Sequence, residues 1–370
     1  MPVGLLPSTA LMIAVWLYMA VSGLLIAEAN LYVRAQVGQE EAGLLATIEY
    51  LLGKGGAIAS AILYLFIHYA LLVAYTARGG DILAAVSNSP LWVGHVIFTV
   101  LLGSLLFFGK ETFVGRLNSV LLLGIILSFF SLVALTVGDL KIVTATESTN
   151  VSMHWDAIAT VIPVMFVAFV YHNVVPVVAA RLEGDKARIR QAIFLGSLIP
   201  LVLFLVWNAV ILLSVGQSVG DPIKQLQNGV NGSRLGAAVS VFSELAVTTS
   251  FIGFVYGLLS FFNDAFSKNI FSKDIWSERY ERPAKFALVF LPPLALSVLS
   301  PTIFFDAIEI AGAFGVSILF GVLPAAMVWK VRYGSEEETE RLVPGKKTVL
   351  LSMGGGAVIV LAAWLEALLF

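Results

Sequence analysis

The chain has 370 residues, of which 59% are hydrophobic and 12% charged, whereas soluble domains carry about 25% charge. Its formal net charge of −2 provides no electrostatic basis for nucleic-acid binding, and the absence of cysteine excludes disulfides and thiolate metal sites. The four histidines, at 68, 95, 154 and 172, have no metal-ligand spacing, and there is no phosphate loop, nucleophile elbow or paired-His zinc helix. Neither an enzyme nor a resident cofactor is implied.

Ten apolar runs follow one another along the chain, at 9–33, 57–86, 91–108, 117–137, 156–180, 190–214, 238–262, 284–300, 303–329 and 347–369. Each reaches or approaches the roughly 20 residues that cross the hydrocarbon layer as a helix. A backbone in lipid must satisfy its own hydrogen bonds, so all ten are predicted to be helices of an all-α polytopic membrane protein. Alternate loops hold eighteen of the 22 Lys and Arg residues, leaving Arg78, Lys141, Lys224 and Arg234 for the other side. That bias places the basic loops in the cytoplasm or its equivalent. Met1 then starts on the outside, and a further helix ahead of it is expected on charge alone.

Along this path Glu28 lies near the cytoplasmic end of the first span, where reaching the interface is expected of it. "RGGD" at 78–81 is too weak a signal for an intramembrane hydrolase. The fifth span is unusual. It carries Tyr171, His172 and Asn173 in mid-run, with Pro163 before them and Pro176 after. Pro176 removes an N–H and clashes with the carbonyl four residues back, so the helix is weakest across 171–173. Helices broken at membrane depth are tolerated where they line a cavity or face protein, and the half-helix after a break offers N–H groups to anions. The other reading is a proline kink whose His and Asn bond to neighbouring helices. The basic loops "RLEGDKARIR", 264–285 and "EEETERLVPGKK" read as solvated topology anchors.

The run "FVYHNVVPVVAARLEGDKARIRQAIFLGSLIPL" resembles the tryptophan/tyrosine permease family of hydroxy and aromatic amino acid permeases, within the amino acid–polyamine–organocation superfamily. The matching residues include Tyr171, His172, Asn173, Val175, Pro176, Gly184, Asp185, Arg190, Gly196, Ser197, Pro200 and Leu201. "IHYALLVAYTARGGDIL" and "FSELAVTTSFIGFVYGLLSFFND" look like the family's third and eighth helices, and "FLPPLALSVLSPTIFFDAIEIAGAFGVSILFGVLPAAM" like its ninth and tenth, in order. The wording is closest to a plant and algal, tyrosine-specific-like branch. One departure stands out: the family's first helix, with its Gly-rich break, has no counterpart, and "VGLLPS" resembles the run joining first helix to second.

The resemblance implies an inverted-repeat amino acid transporter fold with the first helix missing. Residues 1–137 would be a first repeat lacking that helix, 138–155 an external loop, 156–329 the second repeat with its broken helix at 171–173, and 330–370 a cytoplasmic loop and an extra helix. It implies a secondary active carrier of tyrosine or tryptophan, proton-coupled rather than sodium-coupled, in a plasma membrane or plastid inner membrane. A chain without the first helix is expected not to transport. Tyr171, His172 and Asn173 would meet the substrate, with His68 and Tyr69 against its aromatic side chain. Thr248, Thr249 and Ser250 lie where sodium-coupled relatives bind a cation, although such hydroxyls often bond their own backbone. Glu244 lies near the outer end of its helix and Asp306 starts a span, as an interfacial cap would. Glu309, one turn deeper among small residues, and His172 are the proton-carrier candidates. The alternative is a receptor or assembly subunit that keeps the fold and moves nothing, distinguishable by binding without flux.

Overall fold

The computed structural model describes residues 5–38, 42–139, 155–215, 232–267, 278–300, 303–334 and 341–369. The expected crossing at Met1, most of the external loop 138–155, and Lys141, Lys224, Lys268 and Lys273 lie outside the described residues. No strand occurs among the described residues. The helices are α1 (Leu5–Val37), α2 (Leu44–Ser87), α3 (Leu91–Phe108), α4 (Glu111–Asp139), α5 (Trp155–Ala168), α6 (Val175–Arg181) and α7 (Lys186–Val215). They continue as α8 (Gly232–Ser267), α9 (Glu278–Leu299), α10 (Ile303–Ile310), a π-helix (Ala311–Val322), α11 (Leu323–Tyr333) and α12 (Lys347–Leu369).

Ten stretches among the described residues are long and apolar enough to cross a membrane, one for each apolar run. The loop expected after the first span is shorter than the sequence suggests. A helix already covers 44–52, and it turns into the second span at Gly53, whose φ of 76° suits glycine. Along α4, where most side chains are not buried, Ser119, Ser128 and Ser131 all donate to carbonyls of their own helix. No bare hydroxyl from these three is left to hydrocarbon.

The chain clusters into two compact units, each drawn from separate parts of the sequence. The first comprises Met1–Ile67, Val143–Leu212 and Glu309–Phe370. Here α1 packs along α11, while α5 and α12 pack on the π-helix. Gly312 makes this possible: a Cβ there would lie 1.9 Å from the Pro163 carbonyl oxygen of α5. A π-helix closes its bonds five residues back and usually occurs as a single turn. In this longer one, Ser317 donates to the Gly312 carbonyl (3.1 Å) and Ser22 of α1 donates to the Phe320 carbonyl.

The second unit comprises His68–Ile142 and Leu213–Ile308. In it α4 runs along α8, and α9 packs on both α3 and α8. Its core includes Phe98 against Phe251, with ring centroids 5.1 Å apart, and Phe251 against Phe290 at 5.8 Å.

Candidate functional site

In the first unit α5 ends at Ala168, and Tyr171 has φ −140° and ψ 4°, outside any helix. His172–Val174 forms a single 3₁₀ turn before α6. The break therefore opens at Phe169, slightly ahead of 171–173. Pro176 lies in the first turn of α6, where a missing N–H has no partner to lose. The His172 carbonyl, which Pro176 cannot serve, accepts from Val175 N–H, and the Tyr171 carbonyl accepts from Val174 N–H at 3.0 Å. The N–H groups of 171–173 precede the first bond of the new helix. Downstream, Gly184 (φ 77°) turns the chain, and Asp185 Oδ1 caps α7 by accepting from Ala187 and Arg188 N–H at 3.0 Å each.

The exposed backbone is enclosed by α1, α7 and the π-helix. The Tyr171 hydroxyl donates to the Met19 carbonyl (3.3 Å) and lies near Ser197 of α7. Ser197 accepts from Trp16 Nε1 at 3.0 Å. The Tyr171 ring lies over Gly23, where a Cβ would come within 2.5 Å of the hydroxyl oxygen. His172 is fully buried, stacked between Tyr171 and Phe320 with centroids 4.8 Å away on each side. The Met19 carbonyl lies toward the imidazole without the geometry of a hydrogen bond. Both ring nitrogens of His172 and Asn173 Oδ1 have no hydrogen-bond partner among the described residues. Each such buried group costs about 1–3 kcal/mol. A neutral imidazole carries one N–H and one lone pair, so it can engage a ligand that offers both an acceptor and a donor.

The other sequence-predicted residues lie elsewhere. Glu309 is half-buried and accepts from Trp364 Nε1 of α12 at 2.8 Å. In the second unit His68 is buried against Phe254, with centroids 5.0 Å apart. Phe254 also meets Tyr75, whose hydroxyl lies near Ser250. Thr249 donates to the carbonyls of Leu245 and Ala246, its own helix. The Tyr69 hydroxyl donates to the Leu288 carbonyl at 2.8 Å. That carbonyl lies four residues before Pro292, which has no N–H to give it. Tyr69→Phe is therefore expected to cost about 1 kcal/mol, read as a lower melting temperature in detergent. An unchanged melting temperature would show that the carbonyl finds another donor.

Two readings of the sequence need correction. Glu28 does not reach solvent: it is 4% exposed and forms a bidentate ion pair with Arg332, at 2.6 and 2.8 Å. The segment "RLVPG" is not simply solvated either. Glu28 accepts from the N–H groups of Leu342 and Val343, and Arg190 donates to the carbonyls of Arg341 and Leu342. The apolar pair Leu342 and Val343 seals the site, at 1% and 4% exposure. An acid inside an apolar run was the only sequence signal, and its partner lies 304 residues away.

Comparison with known proteins gives this arrangement its context. The profile of the tryptophan/tyrosine permease family matches residues 1–363. Tyrosine-specific transport system 2 of Haemophilus influenzae is 28% identical over 376 aligned positions, covering 96% of this chain and 88% of its own. The tryptophan-specific transport protein of Pseudomonas aeruginosa is 26% identical, over 89% of this chain and 80% of its own. Glutamine transporter 2 of Aliivibrio fischeri is 23% identical, over 91% and 84%. With ten membrane-length helices and a family match across nearly its whole length, the chain belongs to the tryptophan/tyrosine permease family, as an integral membrane carrier and not an enzyme.

Proposed function

We propose that this chain is a secondary active transporter of an aromatic amino acid, tyrosine or tryptophan, or a piece of one, driven by the proton gradient rather than by sodium. The observation that carries the proposal is the buried trio of unpartnered polar atoms at the interrupted helix, His172 Nδ1 and Nε2 and Asn173 Oδ1. An amino acid zwitterion offers an acceptor carboxylate and a donor ammonium, the pair of functions these atoms call for. The rings of Tyr171 and Phe320 add apolar faces to which an aromatic side chain is suited. Relatives named for tyrosine and tryptophan support the substrate class, and His172 and Glu309 remain the proton-carrier candidates named from sequence.

The test is uptake of labelled tyrosine and tryptophan by the protein, expressed from its complete gene, in a host lacking its own aromatic carriers. Saturable uptake that collapses with a protonophore and ignores sodium is expected. Glutamine belongs among the competitors because one relative is named for it. Asn173→Ala is expected to raise KM about tenfold, the loss of one charge-assisted hydrogen bond. Uptake at the level of the empty host would end the transport reading, and sodium-dependent uptake indifferent to pH would end the proton reading.

A further inference from the structure

His95 on α3 is a second fully buried imidazole, and unlike His172 it has a carboxylate partner. Its Nε2 lies 3.1 Å from Asp81 Oδ1 of α2. Its Nδ1 has no hydrogen-bond partner among the described residues. The Asp81 side chain is 33% exposed, while that of His95 is at 0%. The pair is built into a helix crossing. A Cβ on Gly80 would lie 2.6 Å from His95 Cα, and one on Gly94 would lie 2.1 Å from the Gly80 carbonyl oxygen. Only glycines let the two backbones approach so closely, and that approach brings the carboxylate to the ring.

We propose that the His95–Asp81 pair takes up the coupling proton from the outer side of the membrane. This rests on the proton-driven transport proposed above. Asp81 lies shortly before the end of α2 at Ser87, and His95 one turn into α3. The connection between them falls on the side poor in Lys and Arg, the outer one. An ionised Asp81 can only accept, so Nε2 carries the hydrogen it receives, and Nδ1 holds the lone pair. A proton from outside reaches the part-exposed Asp81 carboxylate, and the pair shares it through Nε2. The pair then passes from a charge of −1 to neutral, and no net charge from it remains in the apolar layer.

The charged groups around the pair are consistent with this role. Arg78 lies one turn before Asp81 on α2 and interacts electrostatically with Glu244 of α8, whose Oε2 has no hydrogen-bond partner among the described residues. α3 carries no titratable side chain except His95, and α9, packed on α3, carries none after Lys285. Lys285 itself bonds with Glu281 and Asn263, and Arg282 with the Phe107 carbonyl at the other end of α3.

The experiment uses the protein in vesicles under an imposed inward gradient of one pH unit, which supports about tenfold accumulation at one proton per substrate. Asp81→Asn and His95→Gln are measured beside the parent protein for accumulation, for substrate exchange at equal pH, and for the pH profile of uptake. The His95→Gln side chain retains an amide that can donate to Asp81, so that variant tests the proton and not the crossing. Accumulation falling to the equilibrium level, with exchange retained and a flat pH profile, supports the pair. Accumulation within twofold of the parent in either folded variant overturns it. Absence of gradient-driven accumulation in the parent instead removes the proton reading, and this proposal with it.

Discussion

Arg332→Met is expected to destabilise the protein by about 3–5 kcal/mol, because it strands a buried carboxylate. The side chains of Arg332 and Glu28 are 1% and 3% exposed. Glu28 would keep the amides of Leu342 and Val343 but lose its cation. The carbonyls of Val343 and Gly345, which accept from Arg332 at 2.8 and 3.0 Å, would lose their donor too. Purified protein should show a large drop in melting temperature and in monodisperse yield. Adding Glu28→Gln to the same chain should restore part of the loss, since a neutral pair escapes the cost of a lone buried charge. A single variant as stable as the parent would mean that the loop opens and solvates Glu28.

Gly312→Ala has the second largest expected effect. One methyl group would sit 1.9 Å from the Pro163 carbonyl oxygen and 2.5 Å from its carbon. These are backbone atoms, which no rotamer change moves aside, so α5 and the π-helix must separate. Overpacking of this kind costs about 1–3 kcal/mol, and more where the backbone cannot yield. Gly115→Ala is the matched control, because nothing lies within 4 Å of a Cβ at that position. In thermal unfolding the control should match or slightly exceed the parent, as alanine suits a helix better than glycine. Equal stability of the two variants would show that the crossing is loose.

The ten spans were legible because twenty-residue apolar runs leave few alternatives in a chain this poor in charge. The break was legible too, since Pro176 and three neighbouring polar residues interrupt one of those runs. Its start at Phe169 was not, because the proline argument points to the carbonyl of His172 and the chain instead places Pro176 in a first turn. Thr249 has the back-bond that short hydroxyl side chains in membrane helices often make. The Glu28–Arg332 pair and the His95–Asp81 pair escaped reading for a shared reason. Each joins residues whose separation, 304 and 14 positions, has no local periodicity. As a string "RGGD" carries little, and its glycines signify close approach only once α3 lies against them. The π-helix was equally hidden, since small residues such as Gly312 and Gly315 fit an ordinary helix as well.

The interrupted helix also provides a way to time solvent entry. Amide hydrogens held in i to i−4 bonds within a hydrocarbon layer exchange with deuterium only when the helix opens. Those of Tyr171, His172 and Asn173 precede the first bond of α6 and need no such opening. Their exchange is limited by the arrival of water alone. Deuterium uptake at these three positions, in a helix otherwise protected on both sides, reports how long the enclosed space is open to the aqueous phase.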